Sequence, residues 1–229
     1  MTGAICLQGG REFTTECREM DTAVLRLAGS DRVAVLAGAA RVGSDYFNAS
    51  SRARRHYEAL GATVVVIPDP RDDIDATLDQ LTGDVSLIAL PGGSPASLRE
   101  VLSGPVGQRV VEIHQGGVAL SGASAGAMVL CTRMVQPGRQ AEVVPGLGLV
   151  DGLALPHWNA GSDRGWPIPD DLDLWGLPEC GGVLLVDGAA QAVGQGEPAI
   201  RQDGEWRPVP RGLGSDEITR CGDRRWPER

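Results

Sequence analysis

The sequence predicts an α/β fold, a mostly parallel sheet with helices on both faces, and three observations carry the prediction. Short apolar runs alternate with longer stretches of helical character, the pattern of βαβ units. Several of the apolar runs stop at Gly or Pro punctuation, at Gly9-Gly10, Pro68 and Pro91-Gly92-Gly93. The chain has 229 residues, 42% of them hydrophobic and 22% charged, which suits one α/β domain with a sizeable core.

The elements follow in order. Ala4 to Gln8 reads as the first strand, and Thr14 to Leu27 as the first helix. Arg32 to Ala37 is a strand, and Ser44 to Leu60 a helix closed by Gly61. Ala62 to Ile67 is a strand of β-branched residues stopped by Pro68. Asp72 to Leu81 reads as helical, and Val85 to Leu90 is the next strand. Pro95 to His114 reads as one long helix closed by Gly116-Gly117, and Val118 to Leu120 as the strand after it. Beyond residue 135 Pro and Gly become dense and the periodicity fades. Strands are expected near Gly182–Asp187 and Ala190–Gly194, joined through Gly188 in a hairpin turn, with another within Glu197–Val209. With no internal repeat and no linker, residues 1–211 read as a single domain and 212–229 as a polar tail.

The formal net charge of −9 argues against nucleic acid or an anionic membrane as a partner. Aromatic residues are only 4%, too few for a base-stacking platform. Five cysteines, Cys6, Cys17, Cys131, Cys180 and Cys221, are widely spaced and include no C-x-x-C pair, a reduced cytoplasmic pattern rather than a disulfide framework or zinc site. Met1 to Gly10 carries no basic, apolar leader pattern, and no apolar run approaches the length of a membrane span.

The chemistry concentrates at Ser121-Gly122-Ala123-Ser124-Ala125-Gly126-Ala127. The G-x-S-x-G form, entered from Val118-Ala119-Leu120 and left through Met128-Val129-Leu130, reads as a strand, a sharp turn and a helix start. Small neighbours let such a turn close and leave Ser124 exposed at its apex, ahead of a helix N-terminus that favours negative charge. Glycine is 32 of the 229 residues, so the motif alone also fits an ordinary tight β-to-α turn, and its partners must decide.

A serine nucleophile needs a base, and the base an orienting acid. Of three histidines, His56 lies in the Arg-rich run 52–57, which reads as a solvated helix face, and His114 near a helix C-terminus, where a histidine favours the dipole. His157 follows the apolar stretch Gly152–Pro156 at an expected strand end, where open α/β sheets collect ligands, and is the candidate base. For the acid, spacing leaves Glu179, Asp151, Asp163 and Asp187 open. An oxyanion hole needs backbone N–H groups, which Ala125 and the glycine loop after Leu90, through Gly93, can supply. Ser94 reads equally as the N-cap of the following helix.

Taken together, Gly9-Gly10, Leu90-Pro91-Gly92-Gly93-Ser94 with Leu98, Gly122 to Ala127, Gly146-Leu147-Gly148-Leu149, Pro156-His157-Trp158 and Gly176-Leu177-Pro178-Glu179 stand in an order that resembles the peptidase E and cyanophycinase family of serine peptidases, over roughly residues 4–200. The resemblance implies a three-layer, class I glutamine amidotransferase-like α/β fold with a C-terminal β-hairpin, in which serine replaces the amidotransferase cysteine. It implies a Ser124, His157, Glu179 triad, with Gly93 and Ala125 at the oxyanion positions. The chain departs from the family at 133–140, where an Asn-Asp-Met-Pro type segment is not matched, and at 159–166, where a short segment replaces an Arg-rich helix.

The expected activity is hydrolysis of a small peptide or amide through an acyl-enzyme, without cofactor or metal. Gly92, Ser94, Trp158, Arg139 and Arg164 are the candidate substrate-binding residues, the two arginines favouring an acidic group on the substrate. The abbreviated 158–178 stretch keeps a non-catalytic binding domain on the same fold in view, and an acyl transferase or esterase would use the same serine. A glutamine amidotransferase is disfavoured, because serine stands where the more nucleophilic cysteine is needed. A cytoplasmic location is expected, and a homodimer stays open.

Overall fold

The computed structural model describes residues 2–159 and 165–212. The first half of the chain runs β1 (Ile5–Gln8), α1 (Arg18–Ala28), β2 (Arg32–Val35), α2 (Ser44–Glu58), β3 (Thr63–Val66), α3 (Ile74–Gln80), β4 (Leu87–Leu90), α4 (Pro95–Leu102), α5 (Pro105–Gln115), β5 (Ala119–Ala123) and α6 (Ala125–Leu130). The second half is built of strands: β6 (Cys131–Gln136), β7 (Glu142–Pro145), β8 (Val150–Pro156), β9 (Leu174–Leu177), β10 (Gly181–Val186), β11 (Ala189–Gly194), β12 (Ala199–Gln202) and β13 (Glu205–Pro208).

Two sheets result. The first has the order β11-β10-β1-β5-β4-β2-β3, parallel from β1 to β3 and closed at one edge by the antiparallel hairpin β10–β11. Side chains alternate across its strands, so successive residues serve two cores. Cys6, Val33, Val35, Leu87, Ala89 and Ala119 face α1 and α2. Ile5, Leu7, Ala34, Ile88, Leu90 and Leu120 face the other side, where they pack with α4, α5, α6 and the second sheet. Burial on both faces explains why these strands read as continuous apolar runs. The arrangement is the three-layer α/β architecture expected, with the C-terminal hairpin at the sheet edge.

The sequence reading needs three corrections. The expected single helix 95–114 is two, because Pro105 lacks an N–H and its ring would clash with the carbonyl one turn back. Ser103 caps the end of α4, and Pro105 opens α5 at the position that tolerates proline best. The stretch from Cys131 onward holds a second, mixed sheet, β13-β12-β9-β8-β6-β7, that the reading did not anticipate, and the single strand expected within Glu197–Val209 is the pair β12 and β13. Its strands are four to seven residues long and several are edges or hairpins, so no long periodic window announces them. Finally, His56 is not on a solvated face. Arg52, Arg54 and Arg55 are exposed, but His56 turns inward and is 8% exposed. Its Nε2 lies 2.7 Å from Asp21 Oδ2, and Gln8 Nε2 donates to Asp21 Oδ1 and Ser121 Oγ at 2.7 and 2.9 Å.

His114 stands in the last turn of α5, buried, with Nδ1–H donating to Val118 O at 3.0 Å. Burial holds its pKa below the ordinary 6.5, so at neutral pH it serves as a neutral donor rather than a cation on the helix dipole. The unfolded chain takes up a proton at this residue before the folded one does, so its effect on stability is complete above about pH 6.5. Below that value stability falls with a slope of at most about 1.4 kcal/mol per pH unit. Urea midpoints measured between pH 7.5 and 5 are expected to fall less steeply for His114→Gln than for the wild type.

Among the described residues Cys6, Cys17, Cys131 and Cys180 are buried free thiols, and Cys221 lies outside them. Among the described residues no helix is long and apolar enough to cross a membrane.

Candidate active site

The strands β1, β5 and β4 end level with one another, Gln8 opposite Ala123 and Leu90 opposite Gly122. The segments that leave them, Gly9-Gly10, Ser124 and Pro91-Gly92-Gly93, therefore emerge together at the carboxyl edge of the parallel sheet, where this architecture places its ligands.

Ser124 occupies the turn between β5 and α6 with φ 49° and ψ −107°, a conformation non-glycine residues rarely adopt and one that concentrates at functional sites. Its N–H donates to Gln8 O at 2.9 Å, and its carbonyl accepts the Met128 N–H at 3.0 Å. The flanking glycines are required by close approach. A Cβ on Gly122 would stand 2.5 Å from the Gly126 carbonyl, and one on Gly126 2.2 Å from Leu90 O.

His157 follows β8 with φ 53°, its N–H bonded to Gly9 O at 2.8 Å. Its ring reaches across to the first sheet, with Nε2 3.1 Å from Ser124 Oγ and Nδ1 3.1 Å from Glu179 Oε1. A carboxylate can only accept, so Nδ1 carries the proton, and Nε2 is left to accept the Ser124 hydroxyl proton. Glu179 sits between β9 and β10. Behind it, Cys180 has φ 56° and its N–H is bonded to Gly10 O at 3.0 Å. Arg11 Nε lies 4.0 Å from the other Glu179 oxygen, with both side chains about half exposed, so the pair is screened and contributes little. In chain order the three groups run Ser, His, Glu, whereas the α/β-hydrolases, which share the G-x-S-x-G elbow, place the acid before the histidine.

The glycine loop lies alongside. Ser94 N–H donates to Ala39 O at 2.8 Å, and Ser94 Oγ caps α4 by accepting the Ser97 N–H at 3.2 Å. Among the described residues neither the Gly93 N–H nor the Ala125 N–H has a protein acceptor. Of the other substrate candidates, Trp158 packs its ring on Gly176 and lies 4.9 Å, centroid to centroid, from Trp206. It is turned toward the second sheet and 9% exposed. Arg139 is exposed in the turn between β6 and β7. Arg164 and Asp163 lie outside the described residues. Asp151 and Asp187 fall at the start of β8 and in the β10–β11 turn, away from the His157 ring nitrogens. Among the described residues no group of three or more His, Cys, Asp or Glu is placed to hold a metal ion.

Two contacts of the site had no signal in the sequence, although Gly9-Gly10 itself stood out as a motif. Gly10 is pressed against His157, where a Cβ would lie 2.2 Å from the ring Cε1. Glu12 accepts the Gly92 N–H at 3.0 Å across eighty residues of chain. No local spacing rule reports either contact; only the sheet order brings the loop after β1 beside the loop after β4.

Several solved structures share the fold, two of them peptidases or putative peptidases. A peptidase from an acI-B1 Actinobacterium is 23% identical with a TM-score of 0.76, covering 93% of this chain and 96% of that one. A putative peptidase E protein from Listeria monocytogenes EGD-e is 15% identical with a TM-score of 0.62, covering 86% of this chain and all of that one. No curated protein matches the chain. The family description is decisive: peptidase family S51 matches residues 5–189, from the first strand through the elbow, His157 and Glu179 to the start of β11. The chain belongs to peptidase family S51, the peptidase E family, and is a serine hydrolase.

Proposed function

We propose that the protein hydrolyses a small peptide through an acyl-enzyme formed on Ser124, with His157 as the base and Glu179 as its orienting acid. The observation that carries this reading is the continuous hydrogen-bond chain from Ser124 Oγ through both nitrogens of His157 to Glu179, two contacts of 3.1 Å each. In it, the Ser124 oxygen attacks the scissile carbonyl as its proton passes to Nε2. The Gly93 and Ala125 N–H groups stabilise the oxyanion, and His157 returns the proton to the leaving amine. Water then repeats the sequence against the acyl-enzyme. Glu179 holds the Nδ1–H tautomer and offsets the charge of the imidazolium. Because Glu179 is nearly half exposed, its contribution is smaller than that of a buried acid.

A dipeptide and tripeptide library, with products resolved by mass spectrometry in the presence and absence of a primary amine acceptor, tests the reaction class. Hydrolysis predicts free amino-acid or peptide acids in both conditions. Acylated acceptor as the main product would establish transfer instead, and no turnover of any peptide would count against catalysis.

A further inference from the structure

Glu12 takes no part in the chemistry above, yet it holds the loop on which that chemistry depends. Its Oε1 accepts the Gly92 N–H at 3.0 Å, one residue before the oxyanion donor Gly93. A Cβ on Gly92 would stand 3.1 Å from that oxygen and 3.2 Å from Ser124 Cβ, so carboxylate, loop and nucleophile converge on one point.

The loop needs such a clamp. Pro91 has no N–H, and Gly92 and Gly93 have no side chains, so nothing within the segment fixes its peptide planes. Two hydrogen bonds fix it from outside, Gly92 N–H to Glu12 and Ser94 N–H to Ala39 O. The N–H between them is that of Gly93. The clamp is itself built with care. Arg11 and Phe13, on either side of Glu12, have φ 54° and 65°, values costly for side-chain-bearing residues and maintained only where the surroundings enforce them. At Phe13 the ring packs 5.5 Å from His56 and 5.9 Å from Tyr57, with His56 fixed by the buried Asp21, and at Arg11 the carbonyl accepts the Cys17 thiol at 3.3 Å.

We infer that Glu12 is a positioning residue for the oxyanion hole, acting through its hydrogen bond to Gly92 and not through its charge. The inference rests on Ser124 as nucleophile and Gly93 as oxyanion donor. It explains why a carboxylate is tolerated beside a site that must stabilise negative charge: one of its oxygens orients the peptide preceding the donor.

The test is the second-order rate of labelling by an alkyl fluorophosphonate, which needs no knowledge of the natural substrate. In that reaction the Ser124 Oγ–P bond forms, the P–F bond breaks and fluoride leaves. The serine proton passes to His157, while the phosphoryl oxygen occupies the oxyanion position. Glu12→Ala is expected to label about 10- to 100-fold more slowly, as for a misaligned oxyanion donor. Glu12→Asp, which keeps the charge but lacks the reach, is expected to be similarly slow. Glu12→Gln, whose amide oxygen accepts the same bond, is expected to recover to within about threefold of the wild type. The pH profile of labelling is expected to be the same in all of them. Wild-type rates in both Ala and Asp variants would overturn the inference, as would a Gln variant as slow as Asp, or a pH profile moved by Gln. The Asp and Gln variants decide the matter even if Ala fails to fold. A wild type that is not labelled at all removes Ser124 as nucleophile, and this inference falls with it. Labelling of the wild type with no effect of Glu12 overturns the inference alone.

Discussion

Ser124→Ala is expected to lower kcat/KM for peptide hydrolysis by about 10,000- to 1,000,000-fold, and to abolish labelling by a fluorophosphonate, while leaving the fold intact. The size of the effect follows from what is removed. The hydroxyl is the atom that forms the covalent intermediate, so no remaining group can substitute for it within the same mechanism. Folding should be spared because alanine keeps the Cβ that the elbow already accommodates, and neither backbone bond that anchors the residue involves the side chain. His157→Ala is expected to cost a comparable amount. The double variant should be no slower than either single one, because nucleophile and base act as one unit and their effects do not add. Michaelis–Menten measurements on any cleaved peptide, with thermal melts as the folding control, check this. Peptidase activity retained by Ser124→Ala would remove the residue from the mechanism.

How much of this site was legible in the sequence depended on whether a residue's role is local. Ser124 was legible because the elbow is a local structure: the glycines at 122 and 126 are demanded by backbone atoms of the same turn and of β4 beside it. His157 was legible by elimination, since its rivals had other local readings. Both of those readings fail: His56 is committed to Asp21 on a different helix, where an Arg-rich neighbourhood gave no hint of an inward-facing ring, and His114 is a buried neutral donor to Val118 O rather than a cation on the helix dipole. Spacing left Glu179 among four acids, and only the family resemblance implied the choice. In the structure Glu179 is the acid hydrogen-bonded to His157 Nδ1.

The fold divided along the same line. The parallel half of the first sheet was readable because its central strands β1, β4 and β5 are buried on both faces and α1 and α2 are long enough to show their period. The second sheet was not, because most of its strands are four residues long and its order joins local hairpins through pairings that skip strands, β6 with β8 and β9 with β12. β9 lies beside β8 and β12, and the order cannot be inferred from strands of four residues. It matters for the chemistry all the same, since β8 and β9 end at His157 and Glu179 and so carry two of the three proposed catalytic groups to a serine that belongs to the other sheet.

That division of labour makes Gly10, outside the triad, a residue whose substitution should strike directly at the base. The loop after β1 is bonded to the segments that follow β8 and β9, at His157 and at the residue next to Glu179: Gly9 O accepts the His157 N–H, and Gly10 O accepts the Cys180 N–H. In Gly10→Ala the added Cβ would stand 2.2 Å from His157 Cε1 and 2.7 Å from Nδ1, so the ring must move. The ring is held at both nitrogens, and any shift that clears the methyl lengthens the bond to Ser124 or to Glu179. A displacement of about 1 Å at a catalytic group costs on the order of 100-fold in rate, and here it falls on the base itself, so kcat/KM is expected to drop by about 100- to 1,000-fold. Gly10 also has φ 129°, and backbone strain alone would destabilise an alanine there. Gly29→Ala separates the two effects. Gly29 has φ 75° at the end of α1 with nothing within 4 Å of an added Cβ, so it reports strain without collision. Gly29→Ala is expected to lose about 1 kcal/mol of stability and no activity. Gly10→Ala should lose activity at temperatures where it is fully folded, and equal losses of activity in both variants would mean that strain, not the position of His157, is what the glycine relieves.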